Sequence, residues 1–152
     1  MPIETLEHRF VVDAAPDAIY RHLSDPNSSV GLSPLVVQVR DISLGQDDDG
    51  HNIIEYVAVE RVTAGRLHWN YRVAVLLTLT HPGVALTNYR ALPGRVRTEA
   101  TVTLEPSLSG THVHETMEVQ APAVLHRFAV DRARSIQLER AEALTRRFAA
   151  TA

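Results

Sequence analysis

The chain contains no cysteine among its 152 residues, which excludes disulfide bonds, thiolate nucleophiles and cysteine-based zinc or iron–sulfur sites. Its longest apolar run, residues 73–79, is far shorter than the roughly 20 residues that a membrane-spanning helix needs. The first residues show no basic stretch followed by an apolar run, so no secretory signal is predicted. The sequence therefore predicts a soluble cytoplasmic protein whose fold depends on packing alone.

Cofactor and metal motifs are also lacking. No glycine pattern typical of phosphate binding occurs, and no cofactor is expected. Residues 47–50 begin like a calcium loop, but Ala58 stands at the twelfth position, where such a loop needs Glu. His112 and His114 share one face of a predicted strand, yet that face is polar and no third ligand is evident. We predict a hairpin turn at residues 47–50 and no metal site.

The charges are balanced: 15 Lys and Arg stand against 18 Asp and Glu, giving a net charge of −3 with neutral His. The basic residues are scattered along the chain, so a nucleic-acid partner is not expected. In the C-terminal segment the basic residues alternate with Asp131, Glu139 and Glu142, which indicates a solvated face rather than a membrane-binding one. We expect a monomer or a homodimer.

The segment from Pro122 to the end of the chain contains no further Pro or Gly and predicts one long helix. Apolar residues recur in it near a 3.6-residue period: Leu125, Phe128, Ala129, Ile136, Ala143 and Leu144. A helix of this length needs a large apolar surface to cover, and a wide curved sheet offers one.

The rest of the chain predicts that sheet. A first strand over residues 3–13 is followed by a helix that starts at Pro16 and ends at Asp25-Pro26, and by a second short helix running to Ser33. Six further strands are predicted between Gly- and Pro-containing turns, at residues 35–44, 52–62, 66–80, 84–91, 95–105 and 111–120. Their short connections favour antiparallel pairing, and the whole of residues 1–152 is expected to form a single domain.

Alternation along the strands predicts which side chains face the helix. Strand 66–80 turns Trp69, Tyr71 and Val73 to the same side. Strand 95–105 does so with Thr98 and Ala100, while the last strand places Glu115 beside Met117 on its otherwise apolar face. The two faces of strands 52–62 and 84–91 are too alike to be told apart.

The order of these elements resembles the helix-grip fold of the START-like superfamily, also called SRPBCC or polyketide cyclase/dehydrase-like. Residues 10–26, Phe-Val-Val-Asp-Ala-Ala-Pro-Asp-Ala-Ile-Tyr-Arg-His-Leu-Ser-Asp-Pro, resemble its opening, and residues 32–39 fit its second strand. The resemblance implies an α+β fold in which a seven-stranded curved antiparallel sheet, with two short helices, grips a long C-terminal helix over an internal cavity.

The resemblance further implies that the cavity binds a hydrophobic small molecule such as a lipid, a polyketide or a quinone, and possible roles include transport. Other members are cyclases, aromatases or dehydratases with acid–base residues in the cavity, and others again act on partner proteins. Two or more convergent polar groups would favour an enzyme, and a collapsed cavity would favour an interaction module.

Glu115 is the candidate acid–base residue, because a carboxylate among apolar neighbours is costly unless it is paired, hydrated or protonated. The alternative is an ion pair with Arg132 or another inward-facing helix arginine. Asn88 and Tyr89 are adjacent in their strand, so one of them is expected to face inward. The candidate ligand-binding residues are Trp69, Tyr71, Val73, Asn88, Tyr89, Thr98, Ala100, Met117, Phe128, Arg132 and Ile136.

Overall fold

The computed structural model describes residues 2–149. The strands are β1 (Ile3–Val12), β2 (Val36–Gln46), β3 (Asn52–Ala64), β4 (Leu67–His81), β5 (Ala85–Leu92), β6 (Val96–Ser107) and β7 (Gly110–Gln120). The α-helices are α1 (Pro16–Leu23), α2 (Ser29–Leu32) and α3 (Ala123–Arg147), and two 3-10 turns lie at Pro26–Ser28 and Pro93–Arg95. The predicted elements are all present, and apart from the end of α3 their ends differ by up to about three residues.

The seven strands form one antiparallel sheet in the order β1-β7-β6-β5-β4-β3-β2. Consecutive strands from β2 to β7 are neighbours, and β1 joins the sheet beside β7. Register shifts in β2, around Asp41 with its positive φ of 56°, bend that edge strand. The result is the predicted curved sheet with a long helix across it, and the α+β helix-grip class is confirmed.

Helix α3 lies close to the sheet because small residues form much of its buried side. One cluster joins it to β1, β6 and β7 through Leu6, Ala100, Met117, Val119, Ala121, Ala129, Val130 and Ala133. Near its C-terminal end Ala143 and Leu144 enter the main core, where Val73, Val75 and Leu77 of β4 are also buried. The apolar run at residues 73–79 is thus a core strand, whose alternate side chains fill the interior.

Two further features fix how the elements connect: a hydrogen bond from α1 to β5 and a close approach of Gly110 to the end of β1. Tyr20 of α1 donates a hydrogen bond of 3.0 Å to the carbonyl oxygen of Ala85, and burial raises the pKa of this phenol. The turn before β7 needs glycine, because Gly110 has φ of 133° and a Cβ there would collide with the carbonyl oxygen of Val12.

The predicted extension of α3 to the end of the chain is wrong for Phe148 and Ala149, and residues 150–152 lie outside the described residues. The helix ends at Arg147, and the Phe148 ring turns to meet the His22 ring edge-on, with 5.4 Å between the centroids. Arg147 donates to the carbonyl oxygens of Ser28 and Val30, both at 2.8 Å. These contacts fasten the end of α3 to α2, which explains why the helix stops there.

Among residues 2–149, no helix combines the length and the apolar character that crossing a membrane requires.

Candidate functional site

A cavity of about 460 Å³ lies between the concave face of the sheet and the first half of α3. We call it the outer cavity; its size falls within the roughly 300–1,000 Å³ of small-molecule sites. Its walls are mostly apolar. They consist of Glu60, Val62, Trp69, Tyr71, Asn88, Arg90, Leu92, Pro93, Gly94, Val96, Thr98, Ala100, Met117, Leu125, Phe128, Ala129, Arg132, Ala133, Ile136 and Arg140.

Two aromatic residues form the mouth of the outer cavity. Trp69 of β4 and Phe128 of α3 both line it, yet 50% of Trp69 and 66% of Phe128 are exposed to solvent. Both side chains border an apolar cavity, so a ligand that entered it could also cover them. The mouth therefore offers two flat surfaces on which an apolar ligand would stack.

A buried polar cluster stands in the wall opposite α3. Glu60 of β3 is only 1% exposed, and it accepts hydrogen bonds from the Tyr71 hydroxyl at 2.7 Å and from Arg90 at 2.6 Å. Burial, followed by the hydrogen bond to Glu60 and its negative charge, raises the pKa of Tyr71, while Arg132 and Arg90 act in the opposite direction. The phenol therefore keeps its proton at neutral pH and serves as a hydrogen-bond donor.

The outer cavity adjoins a smaller one of about 70 Å³, the inner cavity, deeper in the molecule. Asn88, Arg90, Ala100 and Arg140 line both. Glu115 lines the inner cavity and accepts a hydrogen bond of 2.9 Å from Arg140. The two cavities therefore share two arginines, Arg90 paired with Glu60 of the outer cavity and Arg140 paired with Glu115 of the inner cavity.

Three side-chain atoms of the inner cavity find no hydrogen-bond partner within residues 2–149. They are Ser33 Oγ, Asn88 Oδ1 and Gln137 Nε2, and all are shielded from bulk solvent. Because an unpaired buried polar group costs free energy, these atoms are suited to bind water or the polar end of a ligand. The inner cavity is large enough for one or a few water molecules.

The structure brings most of the predicted ligand-binding residues together. The walls of the outer cavity include Trp69, Tyr71, Asn88, Thr98, Ala100, Met117, Phe128, Arg132 and Ile136. Glu115 faces the interior as expected, and its partner is a helix arginine, Arg140 rather than Arg132.

Two predicted site residues lie elsewhere. Tyr89 is on the convex side of the sheet, because its neighbours Asn88 and Arg90 both face the cavities and successive side chains alternate. Val73 does face inward, but it is completely buried in the main core and lies outside both cavity walls.

Sequence reasoning missed Glu60, Arg90, Arg140 and Gln137. Both faces of β3 carry apolar residues, so alternation did not reveal that Glu60 faces inward. The position of Arg140 could have been predicted from the sequence. It follows Arg132 and Ile136 at intervals of four residues, which places the three on the same side of α3.

His112, His114 and the acidic residues 47–49 lie outside both cavity walls. Asp47 accepts hydrogen bonds from the backbone N–H groups of Asp49 and His51, at 3.0 and 2.8 Å, which is the predicted hairpin turn between β2 and β3. His114 meets Glu7 of β1 at 2.9 Å, and His112 is exposed.

We predict that the Tyr71 hydroxyl makes stability fall in alkali. Since its pKa is raised above the ordinary value of 10.0, its contribution to stability is complete below pH 10 and is lost as the pH rises beyond that. Urea unfolding between about pH 8 and pH 11 should show a smaller loss for Tyr71→Phe than for the wild type. Tyr20 is unchanged in both proteins, so its own raised pKa cancels; equal losses would contradict the prediction.

Comparison with solved structures identifies proteins of the same architecture. A conserved protein from Geobacillus kaustophilus matches with a TM-score of 0.70 and 16% identity, over 96% of this chain and 95% of that one. A protein from Chromobacterium violaceum matches with a TM-score of 0.66 and 15% identity, over 97% and 99%. The di-domain ARO/CYC StfQ from the steffimycin biosynthetic pathway matches with 0.66 and 11%, over 97% of this chain and 50% of its own.

No protein-family model matches the sequence, and no curated protein matches it. At these low identities the structural likeness shows the fold and carries no activity with it. It confirms the helix-grip fold that the sequence analysis expected.

Proposed function

We propose that this protein binds a hydrophobic small molecule in the outer cavity. The observation that carries the proposal is the cavity itself, which has a volume of about 460 Å³ and is lined mainly by apolar side chains. Burying a ligand there removes apolar surface from water at about 25 cal/mol per Å², so a preformed cavity of this kind favours binding. Lipids, polyketides and quinones are the classes expected.

The arrangement of polar groups supports a defined orientation for the ligand. Trp69 and Phe128 would stack on its apolar part at the mouth. At the deep end Arg90, the Ser33 hydroxyl and Gln137 Nε2 would donate to a ketone or quinone oxygen, and Asn88 Oδ1 would accept from a hydroxyl.

Trp69 is the only tryptophan, which makes the proposal simple to test. Native mass spectrometry of the purified protein, followed by denaturation, identifies any small molecule that co-purifies. Adding menadione, a compact quinone, should quench the Trp69 emission with saturation, and unlabelled palmitate or emodin should compete if they occupy the same cavity. Absence of a co-purified molecule, together with absence of saturable quenching by menadione, would contradict the proposal.

A second candidate function is an acid–base enzyme of the cyclase, aromatase or dehydratase type. The observation that favours it is the convergence of Tyr71, Glu60 and Arg90, which places a proton donor, a carboxylate and a cation in one buried cluster. StfQ and BexL, named as ARO/CYC proteins, share the fold. Glu115 lines the inner cavity and pairs with Arg140, whereas Glu60 and Tyr71 line the outer cavity and join Glu115 as acid–base candidates.

The Tyr71→Phe variant distinguishes a carrier from an enzyme. A carrier in which Tyr71→Phe is introduced should bind its ligand with nearly unchanged affinity, whereas an enzyme that uses the phenol as acid should keep binding and lose turnover. An interaction module, the third possibility raised by the sequence, would favour a collapsed cavity, and the open outer cavity weighs against it.

A further inference from the structure

The outer cavity has an excess of positive charge in its wall. Three arginines line it: Arg90, Arg132 and Arg140. Arg90 is paired with Glu60 at 2.6 Å, and Arg140 is paired with Glu115 at 2.9 Å. Two of the three cations are thus neutralised by carboxylates, and Arg132 is left over.

Arg132 has no ion pair or hydrogen bond with any residue in the range 2–149. The neighbouring acid, Asp131, is exposed and lies 3.8 Å from Arg134 instead. The Arg132 guanidinium lies over the ring of Phe128, with 5.7 Å to its centroid. A partly buried cation held against an aromatic face inside an apolar cavity is poorly hydrated, and an anion placed beside it would be bound strongly.

Three exposed arginines lie close in the sequence to residues that line the same cavity. Arg66 belongs to the β3–β4 turn that precedes Trp69 by three residues, Arg95 follows the lining residues Pro93 and Gly94, and Arg127 precedes Phe128. Within the described part of the chain these three arginines also form no ion pair. Although the protein as a whole has a net charge of −3, these arginines add positive charge to the segments that supply lining residues, and such charge attracts anions from solution.

We infer that the ligand of the outer cavity is an amphipathic carboxylic acid, whose carboxylate pairs with Arg132 while its apolar part fills the cavity. This inference rests on the proposed function. A monoanion balances the one excess charge, and the planar guanidinium matches a carboxylate through two parallel hydrogen bonds. Arg132 thereby selects acids over neutral molecules of the same shape.

The test compares dodecanoate with dodecan-1-ol, which share the same apolar chain. Isothermal titration calorimetry at neutral pH should show the wild type binding dodecanoate about tenfold more tightly than the alcohol, because one partly buried charge-assisted contact is added. Arg132→Gln should abolish that preference, because it weakens the binding of dodecanoate more than the binding of dodecan-1-ol. Arg132→Lys, which keeps the charge, should retain part of the preference.

The matched control is Arg134→Gln, on the same helix but exposed and outside the cavity wall; it should keep the full preference. Equal affinities for the acid and the alcohol in the wild type would overturn the inference and leave the proposed function standing. A preference that survives in Arg132→Gln would also overturn it. If neither compound binds the wild type, the proposed function loses its support from this class of ligand and the inference is overturned with it.

Discussion

Replacing Glu60 by Gln should destabilise the protein by about 3 kcal/mol, because the change leaves the charge of Arg90 buried without its partner. Glu60 is 1% exposed, and the Arg90 side chain is 12% exposed, so water compensates little of the loss. The amide also receives the Tyr71 hydroxyl less well than the carboxylate does. For a domain of this size the melting temperature should fall by roughly 6–12 °C.

Urea unfolding monitored by circular dichroism gives the free energy of unfolding for comparison with a control on the same strand. Glu55→Gln makes the same chemical change on the convex face of β3, at an exposed position, and should alter stability by no more than about 0.5 kcal/mol. A Glu60→Gln variant as stable as Glu55→Gln would show that Arg90 finds another partner or remains hydrated.

A double variant, Glu60→Leu with Arg90→Met, removes both charges of the ion pair. Comparing its free energy of unfolding with that of Glu60→Leu shows how much of the destabilisation comes from leaving Arg90 without a partner. Removing both charges eliminates the uncompensated ion, so the double variant should recover most of the stability that Glu60→Leu alone loses. If the pair exists to orient Arg90 in the cavity wall, the recovered stability should be accompanied by weaker binding of ligands that carry a polar oxygen.

The architecture was largely predictable because its signals are local. Turn residues such as Pro93-Gly94 mark the ends of strands, and the two-residue alternation through Val96, Thr98 and Ala100 assigns the inward face of β6 unambiguously. The long helix follows from the absence of Pro and Gly after Pro122. The end of α3 was harder to predict from the sequence, because Arg147 and Phe148 contact residues more than 100 positions earlier in the chain.

The polar part of the site was predictable only in fragments, because charge pairing across a sheet depends on register. Glu60 and Arg90 lie 30 residues apart on non-adjacent strands, with Tyr71 of β4 between them. Both faces of β3 carry apolar residues, so the sequence did not show that Glu60 faces inward. Glu60 therefore looked like an ordinary surface charge, although it holds Tyr71 and Arg90 together. Glu115 attracted attention for the opposite reason, since its strand alternates clearly, yet its role follows from its pairing with Arg140.

Filling the outer cavity should have the largest effect on binding. Thr98 of β6 faces that cavity, and Thr98→Trp would place an indole where the ligand's apolar part is expected. The indole takes the space of three or four methylene groups of ligand, and each buried methylene contributes about 0.8 kcal/mol, so affinity should fall by roughly 100-fold. Dodecanoate binding by calorimetry measures the loss without interference from the added tryptophan.

Thr101→Trp provides the matched control, because Thr101 lies on the same strand but is exposed on the convex face. It should bind dodecanoate as the wild type does, while the free energy of unfolding of Thr98→Trp should stay close to the wild-type value, since the added ring enters open space rather than a filled core. Unfolding curves distinguish a blocked cavity from a damaged fold. Equal loss of binding in both variants, or unimpaired binding in a folded Thr98→Trp, would place the ligand outside the outer cavity and remove the basis for assigning function to it.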